Sequence, residues 1–355
     1  MKSDIRTLSL EEITTFFVEK GEKPFRAKQV YEWLWQKSAR SFDEMTSLSK
    51  ETRGLLDQHF VINAVVVDNF QVSSDRTIKD AFRLYDGNIV EGVLIPTSER
   101  MTACISSQVG CSLTCKFCAT GRLSRLRNLD AAEIYDQVVL IKKQAEEKYN
   151  IPLSNIVYMG MGEPLLNYKE VMASVEKITS PTGLGMSPQR ITVSTAGIAK
   201  MIKKLGDDGV KFNLALSLHA ANDEKRNKLM PINEQNSLDA LAEALNYFYD
   251  KTGTRVTFEY IVFKDFNDSI SDAQELVDFW KRVPSKINII EYNPIDGGEF
   301  QQTTEQRLKA FVAHLEKNKI IVNVRRSRGK DIDAACGQLA NKNDPGMLQR
   351  KMKKI

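Results

Sequence analysis

From about residue 100 onward the chain alternates short β-branched runs with longer stretches of helical period, and this repetition restricts the fold more than any other feature. The strand-like runs are "MTACIS", "NIVYMGM", "RITVSTA", "KFNLALSLH", "RVTFEYIV" and "KINIIEYNP". Between them lie segments such as "LDAAEIYDQVVLIKKQAEEKY", whose apolar residues recur at helical spacing. Parallel strands need a crossover of a dozen or more residues, usually helical, and that crossover is right-handed. Six such repeats predict an α/β fold, a partial parallel (β/α)6 barrel, with a doubly wound open sheet as the competing arrangement. Both place functional side chains at the carboxyl ends of the strands.

The first part of the chain has a different pattern. Residues 1–70 are expected to form a small helical accessory domain, opened by a Ser–x–x–Glu-like cap in "SLEEITTFFVEK". Its "FRAKQVYEWLWQK" carries Phe25, Val30, Leu34, Trp33 and Trp35 among cations, and reads equally as a core or as an RNA-contacting face. Alternating runs around "YDGN" predict hairpins next. The expected division is 1–70 accessory, 71–96 hairpin linker, 97–333 barrel and 334–355 tail.

No run of about eighteen apolar residues is present to span a bilayer, and the N-terminus lacks a signal-peptide core. A cytoplasmic location is therefore expected. Disulfides rarely persist there, so five cysteines with three clustered point to metal binding or thiol chemistry. The formal net charge is only +4, but cations bunch in "GRLSRLRN" (121–128), "RRSRGK" (325–330) and "QRKMKKI" (349–355). These runs are candidate contacts for RNA phosphates.

The clustered thiols are Cys111, Cys115 and Cys118 in "CSLTCKFCATG", after the first barrel strand. A structural zinc takes four ligands, typically as two pairs, and no second pair is present. Cys104 and Cys336 lie apart, and His219 would have to supply a fourth ligand. Polar residues end successive strands: Glu163 in "GMGEP", Ser194 in "VSTAG", Ser217 and His219 in "SLHA", and Asn293 in "EYNP". Each alone reads as a cap or turn former; in a barrel they converge on one mouth. His59 and His314 read as structural or surface residues.

C-x3-C-x2-C in this position resembles the radical S-adenosylmethionine (SAM) enzymes, whose three thiolates hold a [4Fe-4S] cluster with one iron left open for SAM. "CISSQVGCSLTCKFCATG", "YMGMGEPLLNY", "RITVSTAGI", "LALSLHA", "LMPIN" and "RGKDIDAACGQL" together resemble the RNA adenine methyltransferases that use this chemistry. "PFRAKQVYEWLWQK" is similar to that family's accessory domain. Within the family the nearer fit is the dual-specificity group that methylates adenine C2 in ribosomal and transfer RNA. The alternative is the C8-methylating group that confers antibiotic resistance; Pro164 and "LALSLHA" favour C2. Outside the family, the competing readings are a zinc-stabilised RNA-binding protein and a cluster-bearing activase or sulfur-transfer enzyme.

The resemblance implies residue roles. Cys111, Cys115 and Cys118 hold the cluster; Gly162, Glu163, Ser194, Ser217, Leu218, His219 and Asn293 bind SAM, the backbone of Leu218 counting for more than its side chain. Cys336 accepts a methyl group from one SAM, and a second SAM yields the radical that activates it, so two are used per turnover. Adenine C2 has no lone pair with which to attack a sulfonium methyl, which is why a radical route is needed. Cys104 then forms a disulfide with Cys336 and releases the product. Glu91 is the implied proton acceptor, with Cys104 as a rival base. The implied substrates are an adenosine at the peptidyl-transferase centre of 23S ribosomal RNA and the transfer RNA adenosine 3′ of the anticodon. A reductant such as flavodoxin, no membrane partner and a monomeric state are expected.

Overall fold

The structure, a computed structural model, describes residues 2–342. The basic run at 349–355 lies outside the described residues. Three helices come first: α1 (Leu10–Glu19), α2 (Phe25–Trp35) and α3 (Lys50–His59). Ten strands then share one sheet. They are β1 (Val66–Val72), β2 (Ile78–Arg83), β3 (Ile89–Pro96), β4 (Met101–Cys104), β5 (Asn155–Tyr158), β6 (Ile191–Thr195), β7 (Asn213–Ser217), β8 (Val256–Val262), β9 (Ser285–Glu291) and β10 (Val322–Arg325).

These strands lie side by side in sequence order. Contacts from β1 to β4 are antiparallel, and those from β4 to β10 are parallel. A doubly wound sheet reverses its strand order at a switch point; this one never reverses, so the doubly wound alternative is excluded. Strands β1 and β10 form the two edges, and the barrel is partial.

The helices after the hairpins are α4 (Ala131–Tyr149), α5 (Tyr168–Thr179), α6 (Ala199–Asp207), α7 (Asp223–Leu229), α8 (Leu238–Thr252), α9 (Ile270–Lys281) and α10 (Glu305–Lys317). Local signals place their ends. Asp130 and Glu133 form a reciprocal capping box at the start of α4, Ser9 and Glu12 do so on α1, and Gly253 closes α8 in the left-handed region.

Two features differ from the sequence pattern. There are seven parallel strands rather than six, because β10 is a short edge strand whose exposed Asn323 and Val324 break any apolar signature. Strand β1 starts at Val66, in the alternating run "VINAVVVDNF" but before the expected domain boundary at 70, and the hairpins continue the barrel sheet through β3 and β4.

The N-terminal helices pack on α4 through one continuous core. Trp35 is buried, its ring edge-on to Tyr135 at 5.2 Å, and the Tyr135 hydroxyl is 2.8 Å from Ser38 Oγ. Arg6 forms buried ion pairs with Asp4 (3.1 Å) and Asp136 (2.8 Å). Of the two ambiguous tryptophans, Trp35 is therefore core. Trp33 is half-buried and donates to Ser47 Oγ at 2.8 Å. Among the described residues no helix is long and apolar enough to cross a membrane.

Candidate active site

The loop after β4 carries the three clustered cysteines, and short backbone bonds wind it tightly. Cys118 N–H donates to the Cys115 carbonyl (3.2 Å) and Gly121 N–H to the Cys118 carbonyl (3.1 Å). Lys116 N–H donates to the carbonyl of Leu229 at the end of α7 (2.9 Å), which docks the loop on the barrel. All three thiols are half-buried. Burial pushes each one's ionisation up, Cys111 to about 11. Cys118 and then Cys111 push Cys115 further, and Cys118 and Glu163 act on Cys111 in the same sense.

Three thiolates crowded in a poorly solvated loop repel one another, and bound metal cations reverse that cost. Among the described residues no three such side chains close on one point to hold a single ion. A mononuclear zinc site demands that convergence. A cluster binds each thiolate through a different iron and spaces them further apart, so this donor set fits an iron–sulfur cluster.

Around the loop stand the ends of the strands. Gly162 has φ of +98°, and a Cβ there would lie 2.5 Å from Gln108 Cβ, so the "GMGEP" turn admits only glycine. Glu163 is buried; its Oε2 accepts from Ala196 N–H (2.8 Å) and its Oε1 from Leu165 N–H (3.1 Å). Burial raises its pKa, and an ammonium ligand would stabilise the carboxylate there. Ser194 and Ser217, on neighbouring strands, have hydroxyls 3.5 Å apart. Asn293 is buried, and its Oδ1 has no protein partner, a waiting acceptor of the kind a ribose or amino donor satisfies.

Leu218 contributes backbone, its side chain being core: its N–H donates to the Glu259 carbonyl (3.0 Å) and its carbonyl accepts from Arg226 Nε (3.1 Å). His219 has φ of +55° and stands edge-on to Phe117 of the cysteine loop, ring centroids 4.6 Å apart. Its Nδ1 accepts from Ile261 N–H at 3.1 Å, which leaves the proton of the neutral ring on Nε2. Burial, then the charge of Arg226, pushes its pKa down to about 3.

Sequence reasoning missed Arg226. It is fully buried and donates to the carbonyls of Leu218 (3.1 Å), Ala196 (2.6 Å) and Ser217 (3.1 Å) and to Asn233 Oδ1 (2.6 Å). One side chain thus ties the ends of β6 and β7 to the "LMPIN" segment. Its signal was present three residues before that quoted motif, where a charged residue on a short helix looked merely solvated.

The outlying thiols come together. Cys104, buried at the end of β4, is pushed up to about 12 by burial and then by Cys336, while Arg325 pulls it down. Cys336 is accessible to solvent but ringed by protein, and burial raises it to about 11; Arg325 opposes that shift, and Glu259 and Cys118 add to it. The sequence reading placed Arg325 among phosphate contacts. Instead it turns inward to Glu259 at 3.1 Å, where it is the cation shared by both thiols. Arg127 is likewise internal, bound to Asp86 (2.6 Å) and Glu133 (2.7 Å). Arg122 donates to the carbonyls of Asp296 and Gly297, Lys330 pairs with Glu291 (2.9 Å), and Arg328 lies 4.0 Å from Asp75. Arg125 and Arg326 are exposed and have no carboxylate salt bridge among the described residues.

Glu91, on β3, is buried. Its Oε2 accepts from the backbone N–H groups of Ala340 (2.8 Å) and Asn341 (3.0 Å), and its Oε1 lies 3.6 Å from Lys79 Nζ. His59 and His314 are far from this constellation in chain and contacts; His314 Nε2 meets Gln274 Oε1 at 2.9 Å on the helical layer.

The chain matches two family models: the ribosomal RNA large subunit methyltransferase N-terminal domain over residues 3–62, and the radical SAM superfamily over residues 105–279. It is 64% identical to a Cytophaga hutchinsonii protein named a probable dual-specificity RNA methyltransferase RlmN, over 96% of this chain and 93% of that one. It is 46% identical to a Nitratidesulfovibrio vulgaris dual-specificity RNA methyltransferase RlmN, over 95% and 94%. A crystal structure of a radical SAM methyltransferase from Sphaerobacter thermophilus superposes with a TM-score of 0.89 at 37% identity, over 95% of this chain and 99% of that one. With a three-thiol loop at the strand ends and relatives matched over nearly their whole length, the chain belongs to the RlmN family of dual-specificity RNA methyltransferases, built on the radical SAM fold.

Proposed function

We propose that this protein methylates C2 of adenosine in 23S ribosomal RNA and in transfer RNA, with Cys336 as methyl carrier and Cys104 as the thiol that releases the product. The observation that supports these roles is that the two outlying thiols lie within Coulomb range of Arg325, as Cys336 does of Cys118 in the three-thiol loop. Two unrelated structural cysteines have no reason to share one cation at a strand-end mouth.

Cys111, Cys115 and Cys118 would hold a [4Fe-4S] cluster, and Gly162, Glu163, Ser194, Ser217, His219, Asn293 and the Leu218 backbone would hold SAM. When bound, these groups supply a methyl group and an organic radical able to remove hydrogen from an S-methyl carbon. The chain's own residues do the rest. Cys336, as thiolate, would accept the methyl group, and its carbon, after loss of a hydrogen, would bond to adenine C2 and tie protein to RNA; the C2 hydrogen would then leave as a proton and the odd electron would return to the bound cofactor. Arg325 offsets part of the cost of ionising each thiol. Cys104 sulfur then attacks Cys336 sulfur: an S–S bond forms, the carbon–sulfur bond breaks, and its electron pair takes up a proton on the new methyl group. External thiols reduce the disulfide; all five cysteines are free thiols in the structure.

In this reading residues 1–70 present RNA, 71–96 form the hairpin platform, 97–333 form the catalytic barrel and 334–355 carry the methyl group. The enzyme is a cytoplasmic monomer served by a flavodoxin-like reductant. Nuclease digestion and mass spectrometry of treated RNA should yield 2-methyladenosine; 8-methyladenosine would overturn the C2 assignment. Glu163→Gln should weaken SAM binding and leave the cluster absorbance in place, and unchanged binding would remove Glu163 from the SAM site.

A further inference from the structure

We infer that Glu91, backed by Lys79, is a positioning residue that fixes the Cys336 segment relative to the "GMGEP" strand end, and is not the group that takes the ring proton. This inference rests on the reading of Cys336 as methyl carrier. It starts from what Glu91 touches on each side.

On the backbone side, the Glu91 carbonyl accepts from Ser106 Oγ at 2.6 Å, and Ser106 Oγ in turn accepts from Met161 N–H at 2.8 Å. Glu91 N–H in turn points at Met161 Sδ, 3.3 Å away. Met161 immediately precedes Gly162 and Glu163. The Glu91 main chain is thus held, through Ser106 and Met161, by the strand end that leads into the proposed SAM residues Gly162 and Glu163.

On the side-chain side, one carboxylate oxygen takes two consecutive N–H groups, those of Ala340 and Asn341, a charge-assisted arrangement that fixes the backbone direction there. Asn341 adds a bond from its Nδ2 to the Ile89 carbonyl at 2.6 Å. The other carboxylate oxygen faces the Lys79 ammonium on β2, and both side chains are more than nine-tenths buried. A proton acceptor must present a lone pair to the substrate. Here the carboxylate is turned into the protein, 3% exposed, with partners at both oxygens.

The rest of the Cys336 segment explains why such a clamp is needed. The segment runs from the edge strand β10 across to the hairpins. At its start Gly329 N–H donates to Asp75 Oδ2 (3.0 Å), and Asp331 accepts from Ser73 Oγ (2.5 Å) and Ser74 N–H (3.0 Å). In its middle the Gly337 carbonyl accepts from Ala119 N–H (2.7 Å), and the Leu339 carbonyl from Thr120 Oγ1 (2.6 Å). Cys336 is exposed in this span, and among the described residues its carbonyl accepts only the long 3.4 Å contact from Asn293 Nδ2. Glu91 anchors the far end, so its removal should loosen the carrier while both the cluster loop and the SAM pocket stay formed.

The test compares Glu91→Gln, Glu91→Ala and Asn341→Ala in the cluster-loaded protein. Hydrogen exchange read by mass spectrometry should rise at least tenfold in peptides covering 336–342 for Glu91→Ala, and less for Glu91→Gln and Asn341→Ala. SAM binding should be unchanged. With RNA present, Glu91→Ala should form less protein–RNA adduct. Unaltered exchange together with adduct accumulating in the Glu91 variants would overturn the inference in favour of a proton acceptor. Failure of the carrier reading itself would show separately, as methylation by Cys336→Ala, because the exchange measurement needs no chemistry at Cys336.

Discussion

The two sides of the active site are held in opposite ways. On the parallel side, the ends of β5 to β9 are locked by buried groups with several partners each: Glu163 bridges two turns, Arg226 ties three carbonyls and Asn233, and His219 is wedged against Phe117. On the hairpin side, the segment carrying Cys336 is attached at its ends and along one line of backbone bonds, with the thiol exposed between them. The difference follows the chemistry. In the proposed mechanism a cluster and its ligand need fixed, water-poor surroundings, whereas a thiol serving both cofactor and RNA has to be reachable from both.

Substitutions should sharpen this contrast, with chemistry lost entirely on the hairpin side and stability lost mainly on the parallel one. The largest effect is expected at the thiols. Cys336→Ala should reduce methylation to background with its cluster absorbance intact, and Cys104→Ala should trap a protein–RNA adduct visible as a gel shift. A fully active Cys336→Ala enzyme would erase the functional distinction between the two sides.

Next is Arg226→Met, which leaves buried carbonyls without donors and should cost more than about 4 kcal/mol in denaturant unfolding. A loss no larger than that of a surface substitution would mean the parallel rim is not organised through this guanidinium.

A smaller effect comes from pH. The folded-state pKa of His219 is depressed to about 3. Its stabilising contribution is therefore present above the usual histidine value of about 6.5 and is lost as pH falls toward 3, at up to about 1.4 kcal/mol per pH unit. His219→Asn should flatten that slope. Asp80 acts in the opposite sense, since burial raises it to about 7 and its contribution is lost as pH rises through that value. The comparison should therefore be made as the difference between wild type and His219→Asn.

The smallest effect is expected at the entry of the Cys336 segment. Asp331→Ala removes two bonds to the β1–β2 turn and should leave the melting temperature unchanged while raising hydrogen exchange at 329–335. A large drop in melting temperature would place this segment among the rigid parts.

Much of the rim was legible because strand ends in an α/β repeat are predictable from period alone, and the polar residues at those ends could be read off. Arg226, Lys79 and Glu259 were not. Each is a charged residue whose meaning depends on what lies across the barrel, and sequence spacing carries no information about that. Arg325 shows the same limit from the other direction: a basic run suggested solvent and phosphate, yet its first member turns inward to Glu259. Trp33 and Trp35, two residues apart on one helix, could be separated into surface and core only once α4 was packed against them.

The sequence by itself determined the parallel repeat, the three-thiol loop on its first turn and the family to which these motifs belong, because periodicity and ligand spacing are local properties. Tertiary structure decided which cations are buried, that Cys104 and Cys336 lie within Coulomb range of Arg325, and that Glu91 accepts from the backbone at Ala340 and Asn341. Those pairings join residues up to some 250 positions apart, and only the curling of the sheet brings them within hydrogen-bond and Coulomb range.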